Sequence, residues 1–395
     1  MEPKLDSHPK SVTKPVPKPA TKPRLKSLDA LRGFDMFWIL GGEALFAALL
    51  VWTGWQGWRI ADAQMHHSQW HGFTFYDLIF PLFIFLSGVA LGLSPKRLDS
   101  LPWPERLPLY RHAIKRLFLL LLFGVLYNHG WGTGMPMAAD EIRYASVLGR
   151  IAFAWFFAAL LVWHTDLKTQ VIIAIGILIG YAAMQLWLPV PGGVAGEFSI
   201  SGSINAYVDS QFLPGITYQG RATDPEGILS TLPAIVNALA GVFTGRFIVK
   251  SHPKWAGAKG EWAKVGILLI AGLVSLGLGW LMNPYIPVNK DLWTSSFVMV
   301  TLGWSLILLA IFYALVDVIK LHRLAFGFVV IGCNAIIIYL ASSLVKWEYL
   351  ATSLFGGVMR ALPTDMQPLA SASALLLVQW LLLYWMYKRG IFIKV

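Results

Sequence analysis

The chain has one cysteine, Cys333, among its 395 residues, and Asp, Glu, Lys and Arg together make up only 13% of it. A lone cysteine inside an apolar run excludes an intrachain disulfide and any metal site built on several thiolates. Soluble domains usually carry about a quarter charged residues, so a soluble fold is excluded as well. What is abundant is apolar side chain: 56% of the residues, with a mean hydropathy of +0.59. These residues come in blocks of roughly 20, the length at which a helix crosses a ~30 Å hydrocarbon layer. The expected fold class is an all-α polytopic membrane protein, a single bundle of about ten transmembrane helices. The spans read as 33–52, 73–94, 113–129, 145–163, 170–189, 227–248, 264–283, 295–316, 325–345 and 369–387.

Negative charge is scarcer than positive, 21 acidic residues against 32 basic, for a net charge of +11. The excess does not outline a nucleic-acid surface. Much of it lies in residues 1–26, MEPKLDSHPKSVTKPVPKPATKPRLK, a Lys/Pro arm too poor in large apolar side chains to fold. That arm is expected to be disordered, cytoplasmic and held near anionic lipid, and it lacks the apolar core of a secretory signal. The other Lys and Arg concentrate on alternate connections, among them Arg97, Arg106, Arg111, Lys168, Arg246, Lys250 and Lys388. By the positive-inside rule those connections and both termini are cytoplasmic. The segment MHHSQWHG (65–72) and the long loop 190–226 then face outward.

Several polar groups interrupt the spans, where each is a functional candidate by default. Asp29 and Arg32 lie three apart on one helix face at the cytoplasmic edge, Asp35 follows one turn later, and Glu43 comes after Gly41-Gly42. Asp77 stands at the start of the second span, placed to cap backbone or to hold a histidine in one tautomer. Arg143 and Arg150 lie two turns apart. Asp224-Pro225-Glu226 reads as a helix start, with Asp224 as N-cap. Asn237 and Asn334 lie mid-span, where an amide needs a partner. An interfacial aromatic belt accounts for Trp52, Trp55 and Trp58, but poorly for His67, three residues before Trp70 and five before Gly72. His66, His67 and His71 have no clear carboxylate partner beyond Glu43 or Asp77, so no metal is expected. There is no P-loop, no GxSxG elbow and no HExxH.

The ordered set RLKSLDALRGFDMFWILGGE, HSQWHGFTFYDLIFPLFIFLSGV, RYASVLGRIA, DPEGILSTLPAIVNALAGVFTGR, IPVNKDLWTSSFV and GCNAIIIYL resembles the heparan-alpha-glucosaminide N-acetyltransferase family, closest to its bacterial NagX/YeiB-type branch. The resemblance implies that residues 27–395 form a transmembrane acyltransferase domain, in an inner membrane and as a homodimer. It implies acetyl-CoA as cytoplasmic donor, with no metal and no nucleic acid, and the amine of a glucosamine-type sugar as acceptor on the other side. The family's His-x-x-Trp-x-Gly context falls on His67, Trp70 and Gly72. His67 is then the base or acetyl carrier, with Glu43 or Asp77 to orient it and Asn334 or a tryptophan N–H to stabilise the oxyanion. Asp29, Arg32, Arg143, Arg150 and Lys290 are expected at the donor, and Trp70, Asp224, Glu226, Asn289 and Trp293 at the acceptor. Glu43 stands where the animal enzyme has an asparagine. The rival expectation is an amino-sugar permease with a Trp-lined vestibule, against which stand the missing internal repeat and a histidine at the surface instead of the midplane.

Overall fold

The computed structural model describes residues 25–94, 97–99, 101–130, 138–250 and 257–393; nearly all of the Lys/Pro arm lies outside them. Long apolar runs broken by Gly, Pro and Asn make helices throughout, and among the described residues there is no strand beyond one isolated bridge, Arg143 with Gly215. The α-helices are α1 (Lys26–Phe37), α2 (Ala44–Thr53), α3 (Gly57–Ala63), α4 (Ile79–Gly92), α5 (Trp103–His129), α6 (Val147–His164), α7 (Leu167–Trp187) and α8 (Ile204–Phe212). They continue with α9 (Thr231–Val249), α10 (Gly257–Met282), α11 (Ser295–Phe312), α12 (His322–Gly332), α13 (Ala335–Leu344), α14 (Trp347–Ala361) and α15 (Gln367–Lys388).

Seven described segments are long and apolar enough to cross a membrane, and two bent pairs raise the number to 9 if each counts as one span. Of the expected spans, 113–129 is the exception. It lies in α5, which is long enough to cross but carries Arg111, Lys115 and Arg116 along its length. The bent pairs have separate causes. Between α1 and α2 the chain turns by 57° through the wide π-turn Trp38–Gly42, where Gly41 has φ +116°, a conformation that suits glycine. Between α12 and α13 the 55° bend falls at Cys333-Asn334.

α4 sits at the centre: 78% of its span is buried, against 22% for α7 and α15, which face outward. Two GxxxG motifs let α4 and α9 touch along their backbones. Gly88 and Gly92 of α4 lie against the carbonyls of Ala238 and Val242, while Gly241 and Gly245 of α9 lie against those of Phe85 and Val89. A side chain at any of the four would strike main chain. Gly33 and Gly332 make the same kind of approach between α1 and α12. α4, α6 and α9 thus form a rigid centre, and its two ends differ. At one end, Arg143 just before α6 meets Asp224 and Glu226 just before α9. At the other, His164 at the end of α6 meets Asp99.

Candidate active site

The chain between α3 and α4 closes on itself. The main-chain N–H groups of Phe75 and Tyr76 donate to the side-chain and main-chain oxygens of Gln64, at 3.1 and 3.0 Å. Thr74 is extended and starts a short 3₁₀ turn, Phe75–Leu78, that leads into α4. Asp77 in that turn is fully buried and organises the loop. Its Oδ2 accepts from the N–H groups of Thr74 (3.0 Å) and Ser68 (3.2 Å), and Oδ1 meets His67 Nδ1 at 2.8 Å. A carboxylate on Nδ1 places the imidazole proton there and leaves Nε2 free as a base or nucleophile. The His67 side chain is 47% exposed and packs beside the Tyr76 ring at 4.8 Å.

A second segment, between α10 and α11, delivers a lysine to this histidine. Asn289 donates from Nδ2 to the Trp70 carbonyl (2.8 Å) and accepts the Leu292 N–H at Oδ1 (2.8 Å). Gly72, at φ +122°, donates to the Val288 carbonyl at 2.8 Å, and Trp70 Nε1 donates to the Phe198 carbonyl, also at 2.8 Å. These ties hold Lys290 Nζ 3.0 Å from His67 Nε2 and 3.2 Å from Nδ1. Burial pushes the Lys290 ammonium below the usual lysine range, only partly offset by Asp77, Asp291 and Glu226. Burial also lowers the His71 imidazole, whose Nδ1 lies 3.3 Å from Asn289 Nδ2.

His67 and Lys290 stand at the mouth of a cavity of about 190 Å³. Met36, Ile39, Phe80, Phe83, Ile151 and Ile336 make its walls apolar; Tyr76, Tyr127, Tyr339 and Glu226 add the polar edges. Beside it, Arg143 grips Asp224 through both oxygens (2.7 and 3.0 Å) and Glu226 at 2.6 Å. Burial alone would raise the Asp224 carboxyl, but Arg143 and the Glu226 and Tyr218 N–H groups hold it below the usual range. Asp209 accepts from the N–H groups of Ile228 (2.9 Å) and Asp224 (3.1 Å), while burial pushes its own carboxyl up.

The curated proteins similar to this chain include the heparan-alpha-glucosaminide N-acetyltransferase of Mus musculus, 27% identical over 370 residues, covering 82% of this chain and 55% of the mouse protein. The same protein of Homo sapiens is 26% identical over 370 residues, covering 81% of this chain and 53% of the human one. This chain is a relative of the heparan-alpha-glucosaminide N-acetyltransferases. It spans about half the length of the curated relatives it matches. No protein-family model matches it.

The residues expected to act together in such an acetyltransferase do not form one group. His67, Asp77 and Lys290 converge, with Trp70, Asn289 and Glu226 around them. The five expected at the donor divide. Arg143, Arg150 and Lys290 lie at the His67 end, whereas Asp29, paired with Arg32 at 3.8 Å, lines a separate pocket with Lys26, His322 and Tyr387. About ten residues of helix, some 15 Å, separate Asp29 from the Ile39 wall of the cavity. Asn334 is not at the cavity: its amide clamps the C-terminal segment, donating to the Ile391 carbonyl and accepting the Ile393 N–H, both at 3.0 Å. Glu43 lies at the α1–α2 break, in a neighbouring pocket with Lys346, Trp347 and Gln379, and no hydrogen bond or ion pair among the described residues joins it to His67. Trp293 is fully buried and donates to Asn237 Oδ1 at 3.0 Å, so its ring offers no surface to a sugar.

Asp224 is not a helix N-cap. α9 begins only at Thr231, because Asp224 serves Arg143 and the local turn instead. The sequence reading missed Tyr76, Tyr127 and Tyr339. Tyr76 was within reach, as the residue preceding Asp77. The Tyr127–Tyr339 stack, at 4.3 Å, joins α5 to α13 and left no local signal.

Proposed function

We propose that the chain is a membrane acyltransferase that takes acetyl from acetyl-CoA on the cytoplasmic side and gives it to the amine of an amino sugar on the other. The observation that carries this reading is the Asp77–His67–Lys290 chain at the mouth of an apolar cavity, in a relative of acetyltransferases acting on glucosaminide. The apolar cavity walls suit the uncharged acetyl-thioester end of the donor, while its polyanionic nucleotide belongs near the basic cytoplasmic connections. The acceptor amine approaches His67 from the exposed side, and the acetyl carbon–sulfur bond breaks as the carbon–nitrogen bond forms.

The residues here hold and move protons. Asp77 keeps the His67 proton on Nδ1 and stabilises the imidazolium formed when Nε2 takes a proton from the amine. Lys290, 3.0 Å from Nε2, gives its proton to the departing sulfur and is recharged by His67. A depressed lysine suits that task, since the leaving thiolate is itself a base with a pKa of about 8.5. In the two-step variant, Nε2 first takes the acetyl group and passes it to the amine. The test is acetyl transfer from radiolabelled acetyl-CoA to glucosamine by the purified chain. His67→Ala is expected to abolish transfer while acetyl-CoA still binds; undiminished transfer by that variant would overturn the assignment. Label held covalently by the wild-type chain before acceptor is added would select the two-step route.

A further inference from the structure

A second and larger cavity, about 450 Å³, opens beside α6 and α9. Its outer rim is Phe157, Ile228 and Leu232, exposed by 43, 40 and 44%, the first and last of them on helices that read as membrane-spanning. Phe157 and Leu232 lie on the outside of these helices, next to the loop residues Leu213 and Pro214, where a span meets the lipid headgroups. At the inner end lies Arg150, only 2% exposed. One face of its guanidinium is covered by the Trp293 ring at 4.6 Å, and Nη2 donates to Ser230 Oγ. Nε and Nη1 are buried and have no hydrogen-bond partner among the described residues.

An arginine keeps its charge in proteins, and a buried cation with unsatisfied N–H groups is costly unless an anion meets it. The carboxylate on the same cavity wall, Glu226, shares Arg143 with Asp224, so it offsets the Arg150 charge through space but accepts none of its N–H groups. The N-terminus of α6, whose N-cap Ser146 also lines the cavity, adds positive potential. An apolar trough ending on a guanidinium with two unsatisfied N–H groups matches one chemical class. We infer that this cavity binds a phosphodiester-bearing membrane lipid, its chain along Phe153, Phe157 and Leu232 and its phosphate on Arg150. Guanidinium meets phosphate oxygens through paired N–H donors, and two such donors are unsatisfied here. Because Glu226 lines both cavities, the lipid phosphate sits one side chain away from the cavity of His67.

The experiment uses the full chain, purified in neutral detergent and stripped of lipid, with retained lipid counted by native mass spectrometry. Phosphatidylglycerol is titrated against diacylglycerol of the same chains, which lacks the phosphate. The wild type is expected to hold one phosphatidylglycerol at least tenfold more tightly than diacylglycerol, and Arg150→Gln to erase that preference. Leu232→Trp narrows the trough without touching the guanidinium and sits on the lipid-facing side, so it tests the site even if Arg150→Gln does not fold. It should weaken the lipid at least tenfold. Equal retention of the two lipids would overturn the proposal. So would inorganic phosphate displacing the lipid in the wild type with Leu232→Trp behaving as wild type, the pattern of a free-anion site. His67→Ala should bind lipid as the wild type does, so the lipid site and the acetyl-transfer reading fail separately.

Discussion

Lys290 carries the clearest pH signature. Burial holds its pKa below the usual lysine range, so it loses its proton at a lower pH than a free lysine does. If it supplies the proton for the leaving sulfur, turnover falls as the pH rises through that lowered value, before the ~10.4 of an unperturbed lysine. Lys290→Met should be slow at every pH and lack that falling limb, by roughly 10²-fold at neutral pH if it acts as a general acid. A limb that persists unchanged in the Met variant would belong to another group. Stability runs by the same linkage with a definite sign. A cation with a lowered folded-state pKa costs stability fully below that pKa, and the cost fades as the pH rises from there toward ~10.4. The Met variant should therefore melt no lower than the wild type at neutral pH, with the gap between them closing in alkali. His67 and Asp77 stand ten residues apart in the sequence, and both could be picked out there. Lys290 lies 223 residues from His67, and no local pattern announces that pairing.

The α4–α9 contact is the element on which the site depends, because Asp77 lies in the turn that leads into α4 and Glu226 in the turn that precedes α9. Its four glycines approach main chain closely enough that a larger residue must separate the helices. Gly88→Leu is expected to destabilise by about 1–3 kcal/mol or to prevent folding, as overpacking does. Gly176→Leu, on α7 with no atom near its Cβ position, should leave the melting temperature within about a degree of wild type, a shift of no more than about 1 kcal/mol in a chain of this size. A Gly88→Leu variant as stable as the Gly176 one would mean that this packing is looser than described. The apolar blocks made these helices legible, since period and length survive any packing arrangement. The bends were not. They depend on a positive-φ glycine at position 41 and on an asparagine at 334 whose partners lie nearly sixty residues away.

At the scale of the whole molecule, the two ends of the α4–α6–α9 centre should face different compartments, as the charge bias in the connections implies. In a Cys333→Ser background, a cysteine at Gln211 should react with an impermeant thiol reagent added outside intact cells, and one at Lys168 only after lysis. Both positions are exposed. Reversed labelling would invert the direction of transfer. The fold class could be read from composition alone, but the division of the expected donor residues between the two ends could not, because it follows from how far each helix runs.

One further consequence concerns the membrane potential. His67 Nε2 and Lys290 Nζ lie 3.0 Å apart and line the same cavity at a single end of the bundle. A proton taken from the amine can then reach the sulfur locally, without being drawn from the opposite compartment. In the proposed reaction acetyl leaves the thiol and a proton replaces it there, so no net charge would cross the bilayer in a turnover. Were the sulfur protonated from the cytoplasm instead, each cycle would carry one positive charge outward, work of about 2.3 kcal/mol per 100 mV. In sealed proteoliposomes holding acetyl-CoA inside and glucosamine outside, an imposed potassium diffusion potential of either sign should leave the turnover rate unchanged.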